Sequence, residues 1–167
     1  MEGFTLTDQL DSVDFALAAY RDDGEWQLQD IASPAFASVE SLSHALRRLP
    51  GGGAVAMVAV EEDFFVIVRV QGPSTHVLLS DITAADEWEL AQSALEFLGL
   101  PVFGELDDED VAPAGDLDLL GDLGMPAMDM AVLIDDDDLY PDEMLSEVAR
   151  SLGFGELFDD AVGFTSA

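Results

Sequence analysis

The chain has 167 residues and is 49% hydrophobic, a length for one folded domain, or for one domain with a small appendage, and a composition too apolar for an acidic disordered tail. Five basic residues, all Arg, face 36 acidic ones, for a formal net charge of −31, which excludes most direct binding of nucleic acid or anionic membrane. Cys is absent, so disulfides, thiolate catalysis and thiolate-ligated metal are excluded as well.

In chain order, Val13–Arg21 and Glu25–Ile31 read as strands around the hairpin signal Asp22-Asp23-Gly24. After Pro34, Ser38 is placed to N-cap a helix running to Leu49, with Leu42, Ala45, Leu46 and Leu49 on one face and Pro50-Gly51-Gly52-Gly53 as its stop. Three strands should follow: Ala54–Val60, Phe64–Val70 and Thr75–Ser80. They are joined by Glu61-Glu62-Asp63 and by a turn at Gly72-Pro73, and connections this short imply an antiparallel meander. A helix is expected from Ala84 to Leu98, with Thr83 as N-cap, Asp86 and Glu87 in its first turn, and Leu90, Ala91, Ala94, Leu95 and Leu98 as its buried stripe. The expected fold is therefore α+β: a five-stranded antiparallel sheet in the order ββαβββα, with helices segregated to one face. That order is similar to the order in longin and roadblock-type domains.

Beyond Pro101 the character changes. Residues 101–115, with Asp107-Asp108-Glu109-Asp110 and Ala112-Pro113-Ala114-Gly115, read as an acidic linker between a sheet domain (1–100) and a helical C-terminal segment (116–167). Helical patterns cover Leu117–Leu123, Ala127 to about Asp136, Pro141–Leu152 and Glu156–Val162, and Pro141 suits a first helical turn. Leu98-Gly99-Leu100-Pro101, Leu123-Gly124-Met125-Pro126 and Leu152-Gly153-Phe154-Gly155 share one form, Gly at C′ followed by an apolar residue, the signature of a Schellman ending. Residues 1–99 carry 17 acids and four Arg, whereas 100–167 carry 19 acids and Arg150 alone, so the shorter part is the more acidic. Self-repulsion on that scale weakens the docking of such a segment unless a cationic partner neutralises it.

Candidate chemistry is sparse. His44 and His76 begin no H-x-E triplet and have no ligand partner at helical or strand spacing, so both read as structural, and no metal or cofactor is expected. Asp135-Asp136-Asp137-Asp138 fails as a calcium loop, because Tyr140 falls at the sixth position and Ser146 at the twelfth, where Gly and Glu are needed. Gly51-Gly52-Gly53 lacks the Lys and Ser/Thr of a phosphate loop, and no G-x-S-x-G elbow occurs. Glu61-Glu62-Asp63 reads as a solubilising turn, although 36 acids leave open a metal-independent enzyme built on a carboxylate pair. What remains is an interaction surface. Asp137, Asp138, Tyr140, Asp142, Glu143 and Met144 set aromatic and apolar groups among carboxylates, a composition suited to a basic, partly apolar partner; the alternative is that Tyr140, Met144 and Leu145 pack the helical tail. Residues 1–10 have no basic or apolar leader character, and no window approaches 18 apolar residues, so a soluble cytoplasmic protein is expected.

Five stretches in order carry a resemblance: Glu62–Val70 (EDFFVIVRV), Leu78–Ala85 (LLSDITAA), Ala114–Leu120 (AGDLDLL), Asp138–Leu145 (DLYPDEML) and Leu152–Glu156 (LGFGE). From about Val13 to Val162 the chain resembles the actinobacterial tRNA adenosine deaminase-associated proteins. The resemblance implies an association with the wobble-adenosine deaminase but no catalytic residues. The deaminase's own zinc pattern, H-x-E with P-C-x-x-C, is missing here, so the chain is not expected to be the catalytic subunit. A non-catalytic accessory or regulatory partner that contacts the deaminase's cationic tRNA-binding face is the expectation; an adaptor for an unrelated basic partner is the alternative.

Overall fold

A computed structural model describes residues 13–31, 38–49, 53–60, 64–82, 84, 88–99, 113–136 and 138–162. Strands β1 (Val13–Asp22) and β2 (Glu25–Asp30) form an antiparallel hairpin closed at the pair Asp22–Glu25. Asp23 at φ 56° and Gly24 at φ 83° supply the two left-handed residues that such a tight connection requires. Helix α1 (Val39–Arg47) starts where the Ser38 hydroxyl accepts the Ser41 N–H at 3.2 Å, and it buries Val39, Leu42 and Leu46. Strands β3 (Gly53–Val60), β4 (Phe64–Gln71) and β5 (Ser74–Leu79) follow as a meander.

Helix α2 (Glu89–Phe97) begins later than the expected Ala84, because Trp88 is extended at its N-cap and its ring is drawn into the core 6.1 Å from Phe64. The expected cap Thr83, like Asp86, Glu87 and the turn Glu61-Glu62-Asp63, lies outside the described residues.

Among the described residues the sheet has six strands, not the expected five. Its order is β2-β1-β3-β4-β5-β6, and β6 is the two-residue strand Ala114–Gly115 at the end of the expected linker, pairing with Leu79 and Leu78 of β5. Gly115 sits at φ 112° with its backbone so close to the Val77 carbonyl that a β-carbon would collide with it. The remaining linker residues, 101–112, lie outside the described residues.

Helices are not confined to one face. On one side, α1 and α2 pack on the face that includes Val58, Phe64, Val66 and Leu79. On the other, the C-terminal elements pack on Leu17, Met57, Phe65, Ile67 and Leu78. These elements are a 3-10 turn (Gly121–Leu123), α3 (Ala127–Ile134), α4 (Pro141–Leu152) and α5 (Gly155–Val162). The physical reason lies in the central strands, where β3 from Ala54 to Val60 and β4 from Phe64 to Val70 are buried at every position. A sheet with one wet face would alternate; one that does not must be covered twice. Each large side chain on the second face gains roughly 1.5–3 kcal/mol from that cover.

Two glycine endings set the C-terminal layer. At Gly153 (φ 104°) the Phe154 N–H reaches the Ala149 carbonyl at 2.9 Å and the Gly153 N–H the Arg150 carbonyl at 3.2 Å, both bonds of a Schellman motif. At Gly124 (φ 125°) the Met125 N–H bonds to the Leu120 carbonyl at 3.1 Å and the Gly124 N–H to the Gly121 carbonyl at 3.4 Å, which turns the chain into α3. The layer is tied to the sheet edge by the Trp26 indole, which donates to the Leu152 carbonyl at 3.1 Å and packs on Phe154 with ring centroids 4.7 Å apart.

Candidate interaction surface

The sequence-derived surface lies where α3 hands over to α4. Pro141 occupies the first turn of α4, where its missing N–H is not needed, and the Tyr140 N–H donates to the Glu143 carboxylate at 3.0 Å. Asp142 accepts the Glu143 N–H at 2.9 Å, and the Asp138 N–H donates to the Asp136 carboxylate at 2.9 Å, so acids here are held by local backbone bonds. Asp138 and Glu143 are exposed, Asp142 is half-buried and the Tyr140 ring is 54% exposed. Met144 is placed differently. It is buried with Leu145 in the core beneath α4, so of the three apolar residues in this stretch only Tyr140 belongs to the surface. Asp137 lies outside the described residues.

Two residues that the sequence reading passed over are also exposed on the neighbouring helix α3. Asp129 is the only polar residue of α3, yet Met130 is the only one of its side chains fully buried. Met128 is 77% and Val132 68% exposed, and at i and i+4 they share one face of the helix. The signal was present as an apolar run, but which side of an apolar helix meets the sheet is decided by the elements around it. No Lys or Arg occurs between Arg69 and Arg150, so the carboxylates along α3 and the start of α4 have no sequence-local cation.

Positive charge gathers elsewhere. A cleft of about 260 Å³ beside the 3-10 turn is lined by Arg21, Trp26, Arg69, Gln71 and Asp122 among others. Arg21 lies over the Trp26 ring, 4.6 Å from its centroid. Arg69, 8% exposed, donates to the Leu119 carbonyl at 2.8 Å and to both Asp122 carboxylate oxygens, at 2.5 and 3.0 Å. Those bonds hold the Asp122 carboxyl below the ordinary carboxylate range against the opposing cost of burial. His44 is exposed on α1, and His76 Nδ1 lies 3.2 Å from an Asp116 oxygen. Among the described residues no group of three or more His, Asp or Glu is placed to hold a metal ion, and no helix is long and apolar enough to cross a membrane.

Fold and surface define a class: an acidic α+β protein in which both faces of one antiparallel sheet are covered by helices. Within it, the chain belongs to the Rv3753c-like tRNA adenosine deaminase-associated protein family, whose model matches residues 14–155. Protein Rv3753c of Mycobacterium tuberculosis is 38% identical over 144 residues, 85% of this chain and 83% of that protein. No solved structure matches the chain. The family is described as associated with a tRNA adenosine deaminase rather than as the deaminase itself.

Proposed function

We propose that this protein is a non-catalytic accessory or regulatory partner of the tRNA adenosine deaminase, docking a basic face of that enzyme through its acidic C-terminal layer. The observation that carries the reading is the exposure of Met128 and Val132 on α3 and of Tyr140 before α4, on a stretch rich in carboxylates with no Lys or Arg between Arg69 and Arg150. Electrostatic complementarity of this kind raises association rate and selects partners by sign. A chain at −31 is repelled by tRNA, so occupying the enzyme's cationic face makes it a competitor or a chaperone of that face rather than a tRNA carrier. Asp122, the carboxylate at the cleft, is held low by the hydrogen bond from Arg69, the opposite of what a general acid needs, which weighs against that role for it.

The test is to mix the purified protein with the deaminase of the same genome. Co-elution at about 50 mM salt that disappears at about 500 mM, as screening shortens the Debye length, is expected together with altered inosine formation on tRNA. No co-elution and unchanged inosine formation would overturn the reading, and a pull-down dominated by a different basic protein would favour the adaptor alternative.

A further inference from the structure

Among the described residues the large apolar side chains left exposed are Phe97, Met128, Val132, Tyr140 and Leu157, and the two most exposed of them are one helical turn apart on α3. Exposed apolar residues scattered singly are ordinary; a pair aligned on one face of an almost wholly apolar helix is an unpartnered face. The charge at its end indicates what covers it. Asp135 caps the C-terminus of α3, Asp136 and Asp138 follow at once, and the last turn holds no basic residue. Carboxylates at the negative end of a helix dipole are unfavourable, and a cation from outside relieves that. A second copy of this chain fits poorly, because it would bring another −31 to the same place.

We infer that the outer face of α3 is a docking ridge for a basic amphipathic helix, with Met128 and Val132 entering that helix's apolar seam and its Lys or Arg residues meeting Asp135, Asp136 and Asp138. As the contact site for the deaminase this rests on the accessory-partner reading; as a peptide-binding ridge it stands by itself.

The probe is a synthetic Leu/Lys amphipathic helix titrated into the full-length protein and followed by methyl NMR, beside a scrambled peptide of equal composition that has no apolar face. The amphipathic peptide should bind saturably with the largest shifts at the Met128 and Val132 methyls, at least tenfold tighter than the scrambled one. M128D/V132D should lose that preference with an unchanged melting temperature, and M128Q/V132T serves if the first variant is unstable. D135N/D136N/D138N should retain the apolar contact and bind the amphipathic peptide with a measurably weaker salt dependence than wild type. Equal affinity for the two peptides, shifts centred away from α3, or unchanged binding by the ridge variants would overturn the ridge. Concentration-dependent self-association that the ridge variants abolish would overturn it too, by identifying a second copy as the occupant. With the deaminase as ligand the two ideas separate: a wild-type protein that fails to co-elute removes the accessory reading and leaves the peptide result standing. Equal co-elution of wild type and M128D/V132D removes the ridge alone.

Discussion

Arg69 projects from a strand that is otherwise apolar from Phe64 to Val70, on the face covered by the C-terminal layer. A buried guanidinium is tolerable only when its donors are bonded, and here the Leu119 carbonyl and the Asp122 carboxylate serve that need. The Asp122 side chain is itself 59% exposed, so water screens much of the pair. Asp122→Asn should therefore cost only about 1 kcal/mol at neutral pH, read as a lower urea midpoint. The pH dependence has a definite sign. With the folded pKa below the unfolded value of about 3.9, the stabilisation is complete above that value and is lost as pH falls through the folded one. Wild type and Asp122→Asn should then converge in strong acid; a gap that stays constant across the acid range would show that the carboxylate's charge is not what matters. Leu145, fully enclosed beneath α4, offers the contrasting case: Leu145→Ala should cost about 2–5 kcal/mol through the cavity it leaves, with no such pH dependence.

Among the elements, the two Schellman glycines differ in a way that can be measured. A β-carbon at Gly153 would meet nothing nearer than the Trp26 indole nitrogen at 3.9 Å, so Gly153→Ala should cost roughly the 1–2 kcal/mol of a left-handed alanine. At Gly124 the same carbon would also strike the Ser151 carbonyl, so Gly124→Ala should lower the denaturation midpoint further. The reverse ranking would place the strain elsewhere. These endings were legible in the sequence because Gly followed by an apolar residue is a local signal, as were the hairpin at Asp23-Gly24 and the strands from β1 to β5. Strand β6 was not: two small residues at the end of an acidic stretch have no periodicity to read, and their pairing with Leu78 and Leu79 is a long-range event. The second helical layer was half-legible, since the unbroken apolar runs in β3 and β4 already demanded cover on both faces. Of the proposed interaction surface, only the local grouping of Tyr140 with its carboxylates could be read from the sequence. The exposure of Met128 and Val132 and the burial of Met144 follow only from how α3 and α4 lie on the sheet.

Taken as a whole, the molecule sets a large apolar interior against a net charge of −31. Screening should relieve the self-repulsion, so the melting temperature should rise as NaCl is raised from about 10 mM, where the Debye length is about 30 Å, to about 1 M, where it is about 3 Å. A flat response would mean that the folded surface already spaces its acids as widely as the unfolded chain does. Ending the chain after Gly115 should bare Met57, Phe65 and Ile67 together, and the product should aggregate or bind a hydrophobic dye. A soluble, dye-silent fragment would show that the sheet domain stands without its second layer.

The bond between Trp26 and Leu152 joins residues 126 positions apart. Its consequence is one of timing. On the ribosome, the sheet is complete to β5 by Leu79, but α4 and α5 are not synthesised until Leu152 and Val162. At about 5–20 residues per second the bare face of the sheet waits on the order of ten seconds for its cover. During that interval the nascent chain should depend on whatever shields apolar surface in the cell, and its abundance should follow that protection more than the stability of the finished fold would suggest.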